Sequence, residues 1–269
     1  MRNGKHKINI WTLVLLWVSF TTLVFFSCKK EDVKTTPEDS NTTPTSQFGT
    51  MVVEFTHVVD TQILEFGKKY LNPYGDTFSI SKFNYYISNI VLVKEDNSLF
   101  TQSDSYYLVE ASKTASAKLI INSVPFGKYK SIRFLLGVDS LHNVSGAQSG
   151  ALDPANGMFW NWNTGYIMLK LEGAAPSSTV FGNTIEYHMG GFKGPNKTQR
   201  SFQIDFNNVT AEVASNKNPR LHLQTDVNEL FQSPNTIRFS TLPIITSSGV
   251  NAKLMADNYQ DMILFKGLE

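Results

Sequence analysis

The sequence predicts an all-β fold: an antiparallel β-sandwich, built as a single domain with long loops over residues 48–269. Three observations carry this reading. From Phe48 onward, short segments alternate apolar and polar residues and are rich in β-branched and aromatic side chains, the pattern of half-buried strands. Turn chemistry punctuates them at Asn72-Pro73, Pro125-Phe126-Gly127, Asp153-Pro154, Gly190-Gly191 and Gly194-Pro195. Strand follows strand without intervening helices, whereas parallel sheets need crossover helices between their strands.

Composition sets the outer limits. The chain has 269 residues, 41% of them hydrophobic and 12% aromatic, enough for a substantial core. Lys and Arg number 24 against 23 Asp and Glu, a balance of +1 that offers nucleic acid no electrostatic footprint, so no nucleic-acid partner is expected. The single cysteine excludes an intrachain disulfide and a cysteine-based zinc cage. No sustained heptads and no repeat of fixed period are present, which removes coiled coils and solenoids.

Residues 1–27 read as a lipoprotein signal peptide: a basic start (Arg2, Lys5, Lys7), an apolar stretch from Ile8 to Phe26, then Ser27 before Cys28. An apolar run of this length also suits a membrane-spanning helix. The small Ser27, the placement of the only cysteine and the polar segment after it favour lipidation at Cys28, with Phe25-Phe26-Ser27-Cys28 a loose lipobox similar to those of Bacteroidetes lipoproteins. Acyl chains on Cys28, at about 0.8 kcal/mol per buried methylene, would make the membrane a partner of the mature chain. Lys29-Lys30-Glu31-Asp32 resembles a tag that sends such lipoproteins to the outer cell surface, and equally suits a solvated charge run. Residues 28–47 then form a lipidated cysteine and a Thr-, Ser- and Pro-rich linker too polar to offset its own ordering entropy.

In chain order the expected strands are Met51–Phe55, Phe83–Val93, Ser105–Val109, Ala117–Ile121, Ser131–Val138, Tyr166–Glu172, Thr184–Met189, Arg200–Phe206, Arg220–Thr225 and a last one near Met262–Phe265. Only short helices are expected, the best being Asp226–Phe231 with Asp226 as its N-cap.

Templates for catalysis are empty: there is no G-x-S-x-G elbow, no H-E-x-x-H and no G-x-G-x-x-G, so a binding protein is expected and not an enzyme. Gly191–Thr198 superficially resembles a phosphate loop but lacks the strand-to-helix setting, and reads as a surface loop. The unusual stretch is Gly137–Gly173. Trp160 and Trp162 lie two apart, so on a strand they face one side, either as core residues under a long loop or as a platform or pocket wall within it. Of the histidines, His57 and His222 sit inside strand patterns and suit satisfied structural roles. His142 and His188 stand where strands give way to turns, which suits metal ligands or loop-fixing hydrogen bonds. Asp139, Asp153 and Asn156 offer oxygen donors, although Asp-Pro-Ala-Asn-Gly is first of all a turn.

Four segments carry a family resemblance: Phe83-Asn84-Tyr85-Tyr86-Ile87-Ser88-Asn89-Ile90, Gly137-Val138-Asp139, Met158-Phe159-Trp160-Asn161-Trp162 with Gly165-Tyr166, and Tyr187-His188-Met189-Gly190-Gly191. Through them the chain resembles the copper-binding MbnP family of exported proteins. The resemblance implies a β-rich domain that binds one copper ion. In some members two histidines and a tryptophan oxidised to kynurenine form the site, and a di-haem partner enzyme makes that modification. One family ligand falls in the strand matching Tyr85–Ile90, where this chain has Ser88; His142 sits near the position of the other.

The expectation is therefore a lipid-anchored protein of the outer membrane, displayed at the cell surface. It would bind copper through His142 and His188, with Trp160 or Trp162 nearby, for metal uptake or handling. The rival from another class is an adhesion or glycan-binding module in which Trp160 and Trp162 stack on sugar and the histidines only hold loops.

Overall fold

Alternation along the strands sets which face each side chain covers. In the segment Arg220–Asp226, Leu221, Leu223 and Thr225 are buried while their neighbours are partly exposed, the period-2 signature of one buried face. The structure, a computed structural model, describes residues 47–146, 148–162 and 165–269. The expectations for the signal peptide, for lipidation at Cys28 and for the linker up to residue 46 lie outside them.

Sixteen strands are present among the described residues. They are β1 (Phe48–Val59), β2 (Gln62–Ile63), β3 (Lys69–Leu71), β4 (Thr77–Lys94), β5 (Leu99–Thr101), β6 (Tyr106–Glu110), β7 (Lys118–Pro125) and β8 (Gly127–Leu136). Then follow β9 (Phe159–Trp160), β10 (Gly165–Ala174), β11 (Thr184–Gly190), β12 (Arg200–Asp205), β13 (Ala211–Val213), β14 (Arg220–Asp226), β15 (Ile244–Ile245) and β16 (Ile263–Leu268). The α-helices are α1 (Ser140–Val144) and α2 (Val250–Asn258). One sheet runs β16-β14-β1-β2 with β7 also on β1; the other is organised around β12, β8, β4, β10, β11 and β15. The fold is all-β, as expected, and every expected strand is present within a few residues.

The sandwich is antiparallel except at two places. β1 pairs with β14 in parallel from Val52↔Arg220 to Val58↔Asp226, and β11 with β15 at Glu186↔Ile244. Crossover helices are needed between parallel strands that follow one another in the chain. Between β1 and β14 almost the entire second sheet serves as the crossover. An addition is the short helix α2, whose buried Ala252, Met255 and Ala256 follow helical spacing. The expected Asp226–Phe231 helix is a 3-10 turn over Val227–Phe231, with the Asp226 carboxylate accepting from the Asn228 amide at 2.9 Å.

The core lies between the two sheets. Phe55 of β1 meets Tyr85 of β4 edge-on with ring centroids 5.9 Å apart. His57, as its strand position suggests, is a satisfied structural imidazole: its Nε2 is 3.0 Å from the Tyr85 hydroxyl, which is 3.1 Å from the Thr225 hydroxyl.

β4 is the spine of the second sheet. Tyr85 pairs with both Val109 of β6 and Leu169 of β10, while Ser88 pairs with both Tyr106 of β6 and Leu135 of β8. β6 therefore covers one edge of β4, and β10 and β8 share the other, meeting between Tyr85 and Ile87. Where they meet, the Gly137 amide donates to the Tyr86 carbonyl, and the chain leaves the sheet to fold back over its outer face. Tyr86, on that face, donates to the Ala151 carbonyl at 3.1 Å and Tyr166 to the Leu152 carbonyl at 2.6 Å. β4 from Phe83 to Ser88 and β10 from Gly165 to Leu171 are thus buried on both faces, and the outer face carries the polar side chains described next.

Candidate functional site

The return segment begins with a short helix whose geometry is set by Asp139. This carboxylate caps α1 by accepting from the His142 amide at 3.0 Å. One turn later the His142 ring comes back over it: Nδ1 is 3.1 and 3.2 Å from the two carboxylate oxygens. Tyr106, opposite Ser88 in register, completes the group by donating its hydroxyl to Asp139, and that hydroxyl oxygen lies 2.6 Å from His142 Nδ1.

The network fixes the protons. Tyr106 spends its only proton on Asp139, so both neighbours of Nδ1 are acceptors and Nδ1 carries the hydrogen. Nε2 is left with the lone pair. Burial acts to raise the Asp139 pKa, but the hydrogen bonds from Tyr106 and His142 outweigh it and hold the carboxyl at about 2. Burial, together with the adjacent Asp139 carboxylate, pushes the Tyr106 phenol well above its ordinary value, so it stays a hydrogen-bond donor. Tyr106 and His142 line a cavity of about 430 Å³ that also presents Asp104 and Gln148.

Asn143 ties α1 to the sheet. Its side chain donates to the Val138 and Asp139 carbonyls at 2.6 and 2.9 Å and accepts from the Tyr166 amide at 3.0 Å. Asn143 also walls a second cavity of about 550 Å³, shared with Trp160, Gly165, Phe192 and Pro195. The Gly191–Thr198 loop thus does more than cover surface, since it forms part of this wall.

The two tryptophans divide the roles weighed for them. Trp160 in β9 is 6% exposed and lies over Gly190, where a Cβ would stand 2.4 Å from its ring. Trp162 has left the strand and is 67% exposed, with its ring centroid 5.4 Å from that of Trp160. One is a core residue and the other a surface platform. Asp153 and Asn156 belong to the turn that their sequence suggests, with Asp153 accepting from the Ala155 amide at 2.8 Å.

His188 lies elsewhere on the same face. It pairs with Lys170, which pairs with Asn84, so it sits in the row of Asn84, whereas Tyr106 and His142 belong to the row of Ser88. Four residues along β4 separate those rows by about 13 Å. The His188 ring also turns toward the next row out, with Nε2 2.9 Å from Glu172 Oε1 and 3.3 Å from Glu186 Oε1. The expectation that His142 and His188 grip one ion is therefore corrected: they belong to separate clusters with no shared partner. The position expected for the other family ligand is closed as well, since Ser88 is buried and donates to the Gly137 carbonyl at 2.8 Å.

Sequence reading missed Tyr106, Glu172 and Glu186. The signal for the glutamates was present, because Lys170 and Glu172 on β10, like Glu186 and His188 on β11, alternate with apolar residues and so share one face. Tyr106 carried no such mark.

No curated protein matches the chain. Among solved structures, MbnP from Methylosinus trichosporium has a similar fold, at TM-score 0.50 and 16% identity, over 70% of this chain and 79% of that one. The MbnP family model matches residues 48–250, which takes in every strand but β16, the return segment and every polar cluster described above. On that match the chain belongs to the MbnP family.

Proposed function

We propose that this protein binds copper for uptake or handling while anchored by lipids on Cys28 to the outer membrane, at the cell surface, and that His142 is its imidazole donor. The observation that carries the reading is the Asp139–His142–Tyr106 group. A carboxylate that holds one ring nitrogen fixes the tautomer and aims the other nitrogen as a ligand, and it raises the basicity of that ligand. Membership of the MbnP family supports a metal-related role. Of the expected donors the residues fit in part: they supply one imidazole, with oxygen donors at Asp104 and Gln148 around the same cavity. A nitrogen and oxygen set suits Cu(II) better than Cu(I).

Trp162 is the indole that an external oxidant reaches, since Trp160 is enclosed. A di-haem enzyme, the partner implied by the family resemblance, would act there. Catalysis by the chain itself forms no part of this reading.

Cu(II) titration of the purified protein followed by electron paramagnetic resonance tests the assignment. In a His188→Ala background the expected spectrum shows coupling to one imidazole nitrogen, lost when His142→Ala is added. Absence of binding, or a spectrum unchanged in His142→Ala, removes the assignment.

The glycan-binding alternative rests on exposed Trp162 beside the 550 Å³ cavity. Retention on immobilised glycans that is lost in Trp162→Ala, with no copper bound, would favour it.

A further inference from the structure

We infer that Glu172, Glu186 and His188 form a binding site for a divalent zinc-class cation on the outer face of the second sheet, separate from His142. This inference goes beyond the copper reading and does not depend on it.

The site follows from register. Lys82 of β4, Glu172 of β10 and Glu186 of β11 stand in one row, and Asn84, Lys170 and His188 stand in the next. Two carboxylates directly opposite each other on an antiparallel pair repel unless a cation lies between them. Lys82 answers only one of them, reaching Glu172 Oε2 at 3.0 Å and leaving Oε1 turned toward His188. Lys170 donates to the Gly157 carbonyl at 2.5 Å and stays 3.9 Å from Glu172 Oε1, so its ammonium is drawn aside to the return segment. Lys170 thus pairs only loosely with Glu172, and the His188 imidazole is the group that reaches both carboxylates.

The donor geometry matches an ion of this class. One carboxylate oxygen from each glutamate and a ring nitrogen of His188 all lie within 4.8 Å of one another, and Nε2 is 2.9 Å from Glu172 Oε1 and 3.3 Å from Glu186 Oε1. Ligands held at about 2.0–2.1 Å around a tetrahedral zinc ion are about 3.3 Å apart. Nε2 has at most one proton to offer, so without an ion it satisfies only one of the two carboxylates. The Glu172 and Glu186 side chains remain 27% and 34% exposed, so an ion enters from solvent and water supplies the fourth ligand.

Zinc chloride alone, titrated calorimetrically into the purified protein, tests the site. The expected result is one equivalent bound, with affinity reduced about a hundredfold in Glu186→Gln and in His188→Ala. The same equivalent persists in His142→Ala, which separates this site from the copper assignment. Glu186→Gln keeps the shape of a partly exposed side chain, and circular dichroism reports whether each variant stays folded. Cobalt(II) offered in place of zinc gives the visible absorption of a tetrahedral nitrogen and oxygen set. No zinc binding, equal binding in folded Glu186→Gln, or loss of binding in His142→Ala would overturn the inference.

Discussion

The Tyr106 hydroxyl oxygen lies 2.6 Å from Nδ1 of His142 while its proton goes to the Asp139 carboxylate. The phenol thus acts as a brace between the helix cap and the imidazole. Tyr106→Phe removes one charge-assisted hydrogen bond and should cost about 1.5–3 kcal/mol in urea unfolding. It should also weaken copper binding about tenfold, since His142 loses part of its alignment.

Gly190 is the floor under Trp160. A Cβ there would meet the indole at 2.4 and 2.6 Å and the Tyr166 carbonyl at 3.0 Å. Gly190→Ala should therefore push the ring outward, destabilise the fold by about 1–3 kcal/mol and shift tryptophan fluorescence to the red.

The paired tryptophans should separate in their energetics. Trp160→Ala opens a cavity in packed surroundings and should cost about 3–5 kcal/mol. Trp162→Ala, at an exposed position, should stay within about 0.5 kcal/mol of the parent in the same denaturation experiment.

Acid should act on the fold in two successive windows. Burial lowers the His57 pKa from 6.5 to about 4, so the unfolded chain takes up the proton first. Stability from this group is full above pH 6.5 and falls by about 3 kcal/mol as pH drops toward 4. Asp139 follows with the opposite charge type: its pKa lies near 2 instead of 3.8, so its contribution holds above about pH 4 and disappears as pH falls through 2. Denaturant midpoints measured from pH 8 to 2 check both, and His57→Phe should make the upper window shallower while leaving the lower one in place.

The strands were legible because each carries its own record of burial. Leu221, Leu223 and Thr225 alternate with polar neighbours, and that alternation needs no knowledge of the partner strand. Pairing is a different matter. Nothing local to Val52 or Arg220 says that these residues lie side by side, or that they run in parallel. The same limit governs the sites. His142 could be singled out because a histidine in a turn is conspicuous, but Tyr106, 36 positions away, is one of ten tyrosines, and only the sheet brings it across. His188 was recognised and then matched to the wrong partner, because register along β10 and β11, not rank among histidines, decides what its ring meets.

The seat of β1 between β7 and the parallel strand β14 governs the order of assembly. A polypeptide released from its N-terminus first exposes Phe48–Val59 early, yet those residues must wait for Arg220–Asp226 before both their edges are filled. Closing so wide a span costs chain entropy that no nearby contact offsets, which delays completion until the distal stretch emerges.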